Sequence, residues 1–198
     1  MNHQRRVGLF GGSFNPIHVG HIALAKALRK EGGLDEVWFL VTPQNPWKQQ
    51  TDLLDDEERL TLVRDAVRGE DGLVASDYEF HLPKPSYTLH TLRALRKDYP
   101  DTEFVLLIGG DNWAAFDHWY GYEEILRDYK IIVYPREEHP VDPPLPHGLP
   151  IRGVEIVHTP LLPVSSTLIR ERVRAGAPIH GLVPEAIEKR VIKAYVGT

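Results

Sequence analysis

The sequence predicts an α/β fold: a doubly wound, mainly parallel sheet with helices on both faces. Three observations predict it. Short apolar runs rich in Val, Ile and aromatic residues recur along the chain, without the clean polar alternation of half-exposed strands. Amphipathic segments lie between them. The two kinds alternate, which is the order that builds strand–helix–strand units.

The apolar runs are "VGLF" (7–10), "VWFLV" (37–41), "LVAS" (73–76), "FVLLI" (104–108), "IIVY" (131–134) and "VEIV" (154–157). Each is short enough for a strand covered on both faces. Residues 19–30 place Val19, Ile22, Ala23 and Leu28 near one helical face. Residues 55–68 do so with Leu60, Val63 and Val67, and residues 88–97 with Leu89, Leu92 and Leu95. Near the end, Pro184 is placed as a first helical residue, with Ile187, Val191 and Tyr195 following at i, i+4, i+8. The stretch 135–150 carries six prolines. Only 48 residues follow it, too few for another doubly wound domain, so it reads as an extended surface loop. The 198 residues are expected to form one domain.

A net charge of −5 argues against a duplex-DNA-binding surface, but not against a small anion in a locally positive pocket. With no cysteine there is no disulfide framework and no thiolate metal site. No run approaches the roughly 18 apolar residues of a membrane span, and "MNHQRR" leads into no signal-peptide apolar region. The expectation is a cytoplasmic protein without membrane or nucleic-acid partners. A homo-oligomer is compatible with the sequence.

The stretch "GLFGGSFNPIHVGH" (8–21) runs a strand into glycines and then into a helix carrying His18 and His21. In an open α/β sheet, the carboxyl end of a strand is where ligands bind. The stretch is neither a Walker A loop nor a G-x-G-x-x-G fingerprint, yet its geometry suits a phosphate cradle. The histidines, three apart, share one face of the first turn. They can be ordinary core or surface residues, a metal pair lacking an evident third ligand, or N–H donors to phosphate oxygens. The residue types favour the last. "PVSSTLIRERVRAG" (163–176) repeats the theme, with good N-cap residues in Ser165, Ser166 and Thr167. An ordinary capped helix would carry an acid in its first turn. Here Arg170 precedes the first acid, Glu171, and a bound anion would offset that placement.

"GGSFNPIHVGH" resembles the signature G-x-[ST]-F-[DN]-P-x-H-x-G-H, and "SSTLIR" resembles I-S-x-T-x-[IV]-R; both belong to the HxGH nucleotidyltransferase superfamily, whose fold is Rossmann-like. "PQNPWK" (43–48), "PSYTLHTL" (85–92) and "LIGGDNWAAFDHWYGYEEIL" (107–126) narrow the resemblance to bacterial nicotinate-nucleotide adenylyltransferases, over essentially the whole chain. The resemblance implies adenylyl transfer from ATP to nicotinate mononucleotide, with Mg²⁺ bound through the ATP phosphates. It implies that Gly12, Ser13 and Phe14 line the join between the nucleotides, that His18 and His21 hold the ATP phosphates, and that Asp111 lies near the ATP ribose. Ser165, Thr167 and Arg170 would bind polyphosphate, Lys48 would reach phosphate, and Thr88, Trp119 and Tyr120 would hold the nicotinate ring. Trp119 as an ordinary core tryptophan is the competing reading. Two departures stand out: Asn15 where many members have Asp, which removes a local negative charge, and Val164 where Ile is usual. His90 receives no role.

The nucleophile of such a reaction is already a phosphate oxyanion, so no general base is required. Preference for the acid mononucleotide over its amide must come from donors near Thr88 and Trp119–Tyr120. The acid nearest these motifs in sequence is Asp117. The alternatives are a nicotinamide-mononucleotide adenylyltransferase, a sister adenylyl- or cytidylyltransferase for phosphopantetheine or glycerol phosphate, and a nucleotide-binding regulator without turnover.

Overall fold

The computed structural model describes residues 4–43, 53–135, 152–160 and 162–197. Lys48 and residues 136–150 of the proline-rich stretch lie outside them. The strands are β1 (Arg5–Gly12), β2 (Glu36–Val41), β3 (Leu73–Ser76), β4 (Thr102–Gly109), β5 (Lys130–Tyr134) and β6 (Val154–Ile156). The helices are α1 (Val19–Glu31), α2 (Asp56–Ala66), α3 (Thr88–Asp98), α4 (Gly110–Ala114), α5 (Tyr122–Asp128), α6 (Ser166–Arg174) and α7 (Glu185–Tyr195). Short 3₁₀ turns span Tyr78–His81 and Phe116–His118.

All six strands pair in parallel, in the order β3-β2-β1-β4-β5-β6. This is a doubly wound, Rossmann-like sheet. The chain winds outward one way from β1 and the other way from β4, so the crevice past the carboxyl ends of β1 and β4 is where a ligand has access.

Successive strand residues point to opposite faces. Phe10, Val37, Phe39, Val105 and Ile132 face a core built with α1, α2, α6 and α7. Val7, Leu9, Trp38, Leu106 and Ile131 face a second core with α3 and α5. Burial on both faces accounts for the uniformly apolar strands. Short β6 is an edge strand, and Glu155 and Ile156 are exposed on it.

The expected faces of α2, α3 and α7 are the buried ones. In α1 the buried set is Ile22, Leu24, Ala25 and Leu28, so Val19 and Ala23 lie at the margin of the stripe. Ile22, Ala25 and Leu28 form an i, i+3 row, with Leu24 beside Leu28 at i, i+4. Pro184 has extended ψ of 139° and is the N-cap of α7, one residue before the first helical position. The five- and seven-residue helices α4 and α5 fall in a stretch that sequence periodicity left unassigned, because neither is long enough to show a stripe.

At the amino ends of the strands, Glu103 takes hydrogen bonds from Arg6, Lys130 and Arg152. Burial pushes its pKa up, but these cations outweigh burial and hold it below the usual carboxylate range. At the far side of the first core, the buried Tyr195 hydroxyl donates to Asn15 Oδ1 at 2.6 Å, joining α7 to the turn after β1. Replacing Tyr195 by Phe removes this bond at little change of volume. It should lower unfolding free energy by ~0.5–1.5 kcal/mol in urea titration, with the slope m unchanged.

Candidate active site

A cavity of about 950 Å³ opens over the carboxyl ends of β1 and β4. From the turn after β1 and the start of α1, Gly12, Ser13, Phe14, His18 and His21 line it. From α4 comes Asp111, and from the α6 start come Ser165, Thr167 and Arg170. Thr88 at the head of α3 and Trp119–Tyr120 before α5 complete the wall. The fold thus brings together every candidate residue that lies within the described part of the chain.

Helix starts show a division. The first turns of α2, α5 and α7 carry Asp56, Glu57 and Glu58, Glu123 and Glu124, and Glu185 and Glu188, respectively. Those of α1, α3 and α6 carry no acid, and these three helices open onto the cavity. The short helix α4 also reaches it and does carry Asp111. Acids normally complement the positive end of a helix dipole. Their omission at three converging ends leaves positive potential directed into one space, where an anion is stabilised.

His18 is the N-cap of α1, and its ring does a cap's work. His21 N–H donates to His18 Nδ1 at 3.3 Å, and His18 N–H donates to His21 Nδ1 at 3.2 Å. This is a capping box made of two imidazoles. Both Nδ1 atoms are acceptors, so in each neutral ring the proton sits on Nε2. The rings stack with centroids 3.6 Å apart, and both line the cavity. One pair of contacts therefore ends the helix and fixes the tautomer of two N–H donors. The intervening Gly20 is demanded by space, since a Cβ there would stand 2.8 Å from Val164 Cγ1 and 3.0 Å from His18 Nδ1.

The turn bearing these groups is held from three sides. Arg59 of α2, fully buried, donates to the carbonyls of Ser13 (2.6 Å), Thr42 (3.1 Å) and Leu54 (3.0 Å), and pairs with Asp56. From α6, Arg170 donates to the Asn15 carbonyl at 2.7 Å, and Ser166 Oγ to the Pro16 carbonyl at 2.8 Å. The Asn15 side chain faces inward, where Oδ1 accepts from Tyr195 and from Leu54 N–H. It is 2% exposed, so the Asp-to-Asn departure acts on this internal network as well as on charge. Ser165 caps α6 by accepting from Leu168 N–H, and Thr167 Oγ1 accepts from Arg170. Arg170 Nε is buried without a hydrogen-bond partner among the described residues, a donor left for an anion.

On the opposite wall, Trp119 is half-buried against Phe116, whereas Trp113 is the core tryptophan at 6% exposure. Phe14 both lines the cavity and packs edge-on to Phe10 and His21. Asp117 is exposed, pairs with His118 at 2.9 Å, and does not line the cavity. Among the lining residues that escaped the sequence reading are Thr42, whose carbonyl takes a bond from Arg59, and Glu79. Among the described residues there is no group of three His, Asp or Glu able to cage a metal ion, and no helix long and apolar enough to cross a membrane.

The profile of the cytidylyltransferase-like family matches residues 9–172. A probable nicotinate-nucleotide adenylyltransferase of Bacteroides fragilis is 48% identical over 192 residues, which cover 95% of this chain and 92% of that protein. One from Cytophaga hutchinsonii is 41% identical over 187 residues, 94% of this chain and 95% of that one. The chain belongs to the cytidylyltransferase-like family, among its nicotinate-nucleotide adenylyltransferases. The Plasmodium falciparum nicotinic acid mononucleotide adenylyltransferase, solved with NaAD, superposes with a TM-score of 0.77. It covers 96% of this chain and 95% of its own at 16% identity, a likeness of fold alone. As a member of this family the protein is a nucleotidyltransferase.

Gly20→Ala tests the packing of the histidine pair. Helix propensity favours Ala by about 1 kcal/mol, but the new methyl must displace Val164 or the His18 ring. Turnover should fall by at least ~10-fold, while the unfolding free energy changes by less than ~2 kcal/mol. Steady-state kinetics beside urea unfolding measures the two.

Proposed function

We propose that this protein transfers the adenylyl group of ATP to the phosphate of nicotinate mononucleotide, a step of NAD biosynthesis carried out in the cytoplasm by one domain spanning 1–198. A phosphate oxygen of the mononucleotide attacks the α-phosphorus. The bond from that phosphorus to the α,β-bridging oxygen breaks, and pyrophosphate leaves with the electron pair. The products are nicotinate adenine dinucleotide and pyrophosphate.

The observation that carries this reading is the convergence of the acid-free starts of α1 and α6 on one cavity, each with N–H donors suited to phosphate. His18 and His21 present Nε2–H donors to the ATP phosphates. Ser165, Thr167 and Arg170 take the polyphosphate from the other side, and Asp111 faces the ATP ribose. Gly12, Ser13 and Phe14 sit at the join of the two nucleotides. Thr88, Trp119 and Tyr120 hold the ring of the mononucleotide, and Lys48 reaches its phosphate. These groups lower the barrier by in-line positioning and by stabilising charge on the transferring and leaving phosphates.

Mg²⁺ accompanies ATP in this reading, bound through the phosphate oxygens and water rather than by a protein cage. When bound it neutralises phosphate charge. The protein's part is to hold the phosphates that carry the ion.

Pyrophosphate release measured with ATP and nicotinate mononucleotide together, and with either alone, tests the activity. Release should require both. His18→Ala should lower kcat by ~10²–10³-fold with a much smaller change in KM, as expected for a donor that acts on transition-state charge. A normal kcat with only a raised KM would confine His18 to ground-state binding.

A further inference from the structure

Arg59 is a buried charge that lines no part of the cavity, yet it holds the backbone along one side of it. It sits near the head of α2. Nη1 donates to the carbonyls of Ser13 at 2.6 Å and Thr42 at 3.1 Å, and Nε to that of Leu54 at 3.0 Å. Nη2 pairs with Asp56 Oδ1, and Asp56 Oδ2 accepts from Lys84 Nζ at 3.2 Å. Burying a guanidinium is costly, and a well-packed apolar side chain of similar volume often serves stability as well. What a planar fork adds is direction, because its N–H groups meet their acceptors in one fixed arrangement.

The three carbonyls lie on one side of the site. Ser13 and Thr42 stand just past the ends of the neighbouring strands β1 and β2, where Thr42 N–H also donates to the Gly12 carbonyl at 2.9 Å. Ser13, Thr42 and Leu53, which precedes Leu54, line the cavity. Lys84 leads into Ser86 and Thr88, which line it too. In the sheet, β2 is on the opposite side of β1 from β4, β5 and β6. Several groups assigned to ATP come from that other side: Asp111 follows β4, and Arg170 is on α6, after β6. Asn15 and Pro16, nearer to His18, have their carbonyls held by Arg170 and Ser166 rather than by Arg59.

We propose that Arg59 is a positioning residue for the mononucleotide: it fixes the backbone on the β2 side of the cavity, and so sets the affinity for that substrate while leaving the ATP side in place. The proposal rests on the reading that nicotinate mononucleotide occupies this side. Arg59 acts through the chain and touches neither substrate. Without its fork, three carbonyls lose a common donor, and the ends of β1 and β2 are no longer tied to the head of α2. A displacement of about 1 Å in a binding wall is enough to cost up to ~10²-fold. The imidazole pair keeps its place, because Arg170 and Ser166 still hold the residues before it.

The test measures KM for each substrate with the other saturating, by pyrophosphate release, beside urea unfolding of each variant. Arg59→Met removes every donor and keeps an extended side chain. It should raise KM for nicotinate mononucleotide by ~10-fold or more. KM for ATP should stay within ~2-fold of the wild type, and kcat should fall by less than the mononucleotide KM rises. Arg59→Lys keeps a cation but not the fork, so it should raise the same KM by a smaller factor, ~3-fold. The Lys variant decides the matter if the Met variant does not fold. A residue that served stability alone would shrink the folded fraction, lowering apparent kcat and leaving both KM values unchanged. That outcome overturns the proposal, as does a KM for ATP that rises as much as that for the mononucleotide. Failure of the underlying reading would look different: the wild type itself would release no pyrophosphate with nicotinate mononucleotide.

Discussion

Four residues, Ser13 to Pro16, carry the constraint on which the site depends. Their backbone carbonyls and one side chain are taken by three helices that are distant in sequence. Arg59 of α2 holds the Ser13 carbonyl, Arg170 and Ser166 of α6 hold those of Asn15 and Pro16, and Tyr195 of α7 holds the Asn15 side chain. These bonds set where α1 begins, and therefore where the two imidazoles stand. They also tie Arg170 to the same turn, so the two anion-directed helix starts are fixed relative to each other. Phe14 adopts φ of +47° within this turn, an uncommon conformation for a non-glycine residue that the surrounding contacts must hold.

The resulting pocket is assembled mostly from backbone direction and N–H and O–H donors. Acid-free starts of α1, α3 and α6 point positive ends inward, while the helices that open elsewhere keep their acids. The chain as a whole is acidic, at −5. Attraction for a polyphosphate is thus local, built at strand ends.

Much of this was legible in the sequence. Six apolar runs became the six strands, because strands buried on both faces cannot carry alternating polar residues. The glycine turn and the histidine spacing marked the first helix start, and the serine–arginine pattern marked the second. What escaped had physical reasons. Arg59 lies in the strongly acidic stretch "DEERLTLV" and reads as a solvated residue, yet it is fully buried because its partners are carbonyls far away in the chain. Asn15 reads as a change of charge at the ligand, but its amide faces inward. Glu79 reads as one more acid in a polar loop; only the packing of the 78–81 turn on α3 buries it beside Thr91. Histidine as a helix cap has no composition signal either, since Ser, Thr, Asp and Asn are the usual caps. The role read for Lys48 falls outside the described residues.

The central claim is that this site works by positioning and by stabilising phosphate charge: two phosphates held in line, with no protein nucleophile between them. The most direct measurement is the stereochemical course at phosphorus, using ATP carrying a chiral thiophosphate at the α position. A single in-line displacement inverts the configuration. The account predicts inversion in the dinucleotide product. Retention would require two displacements through an adenylylated side chain, and would contradict it.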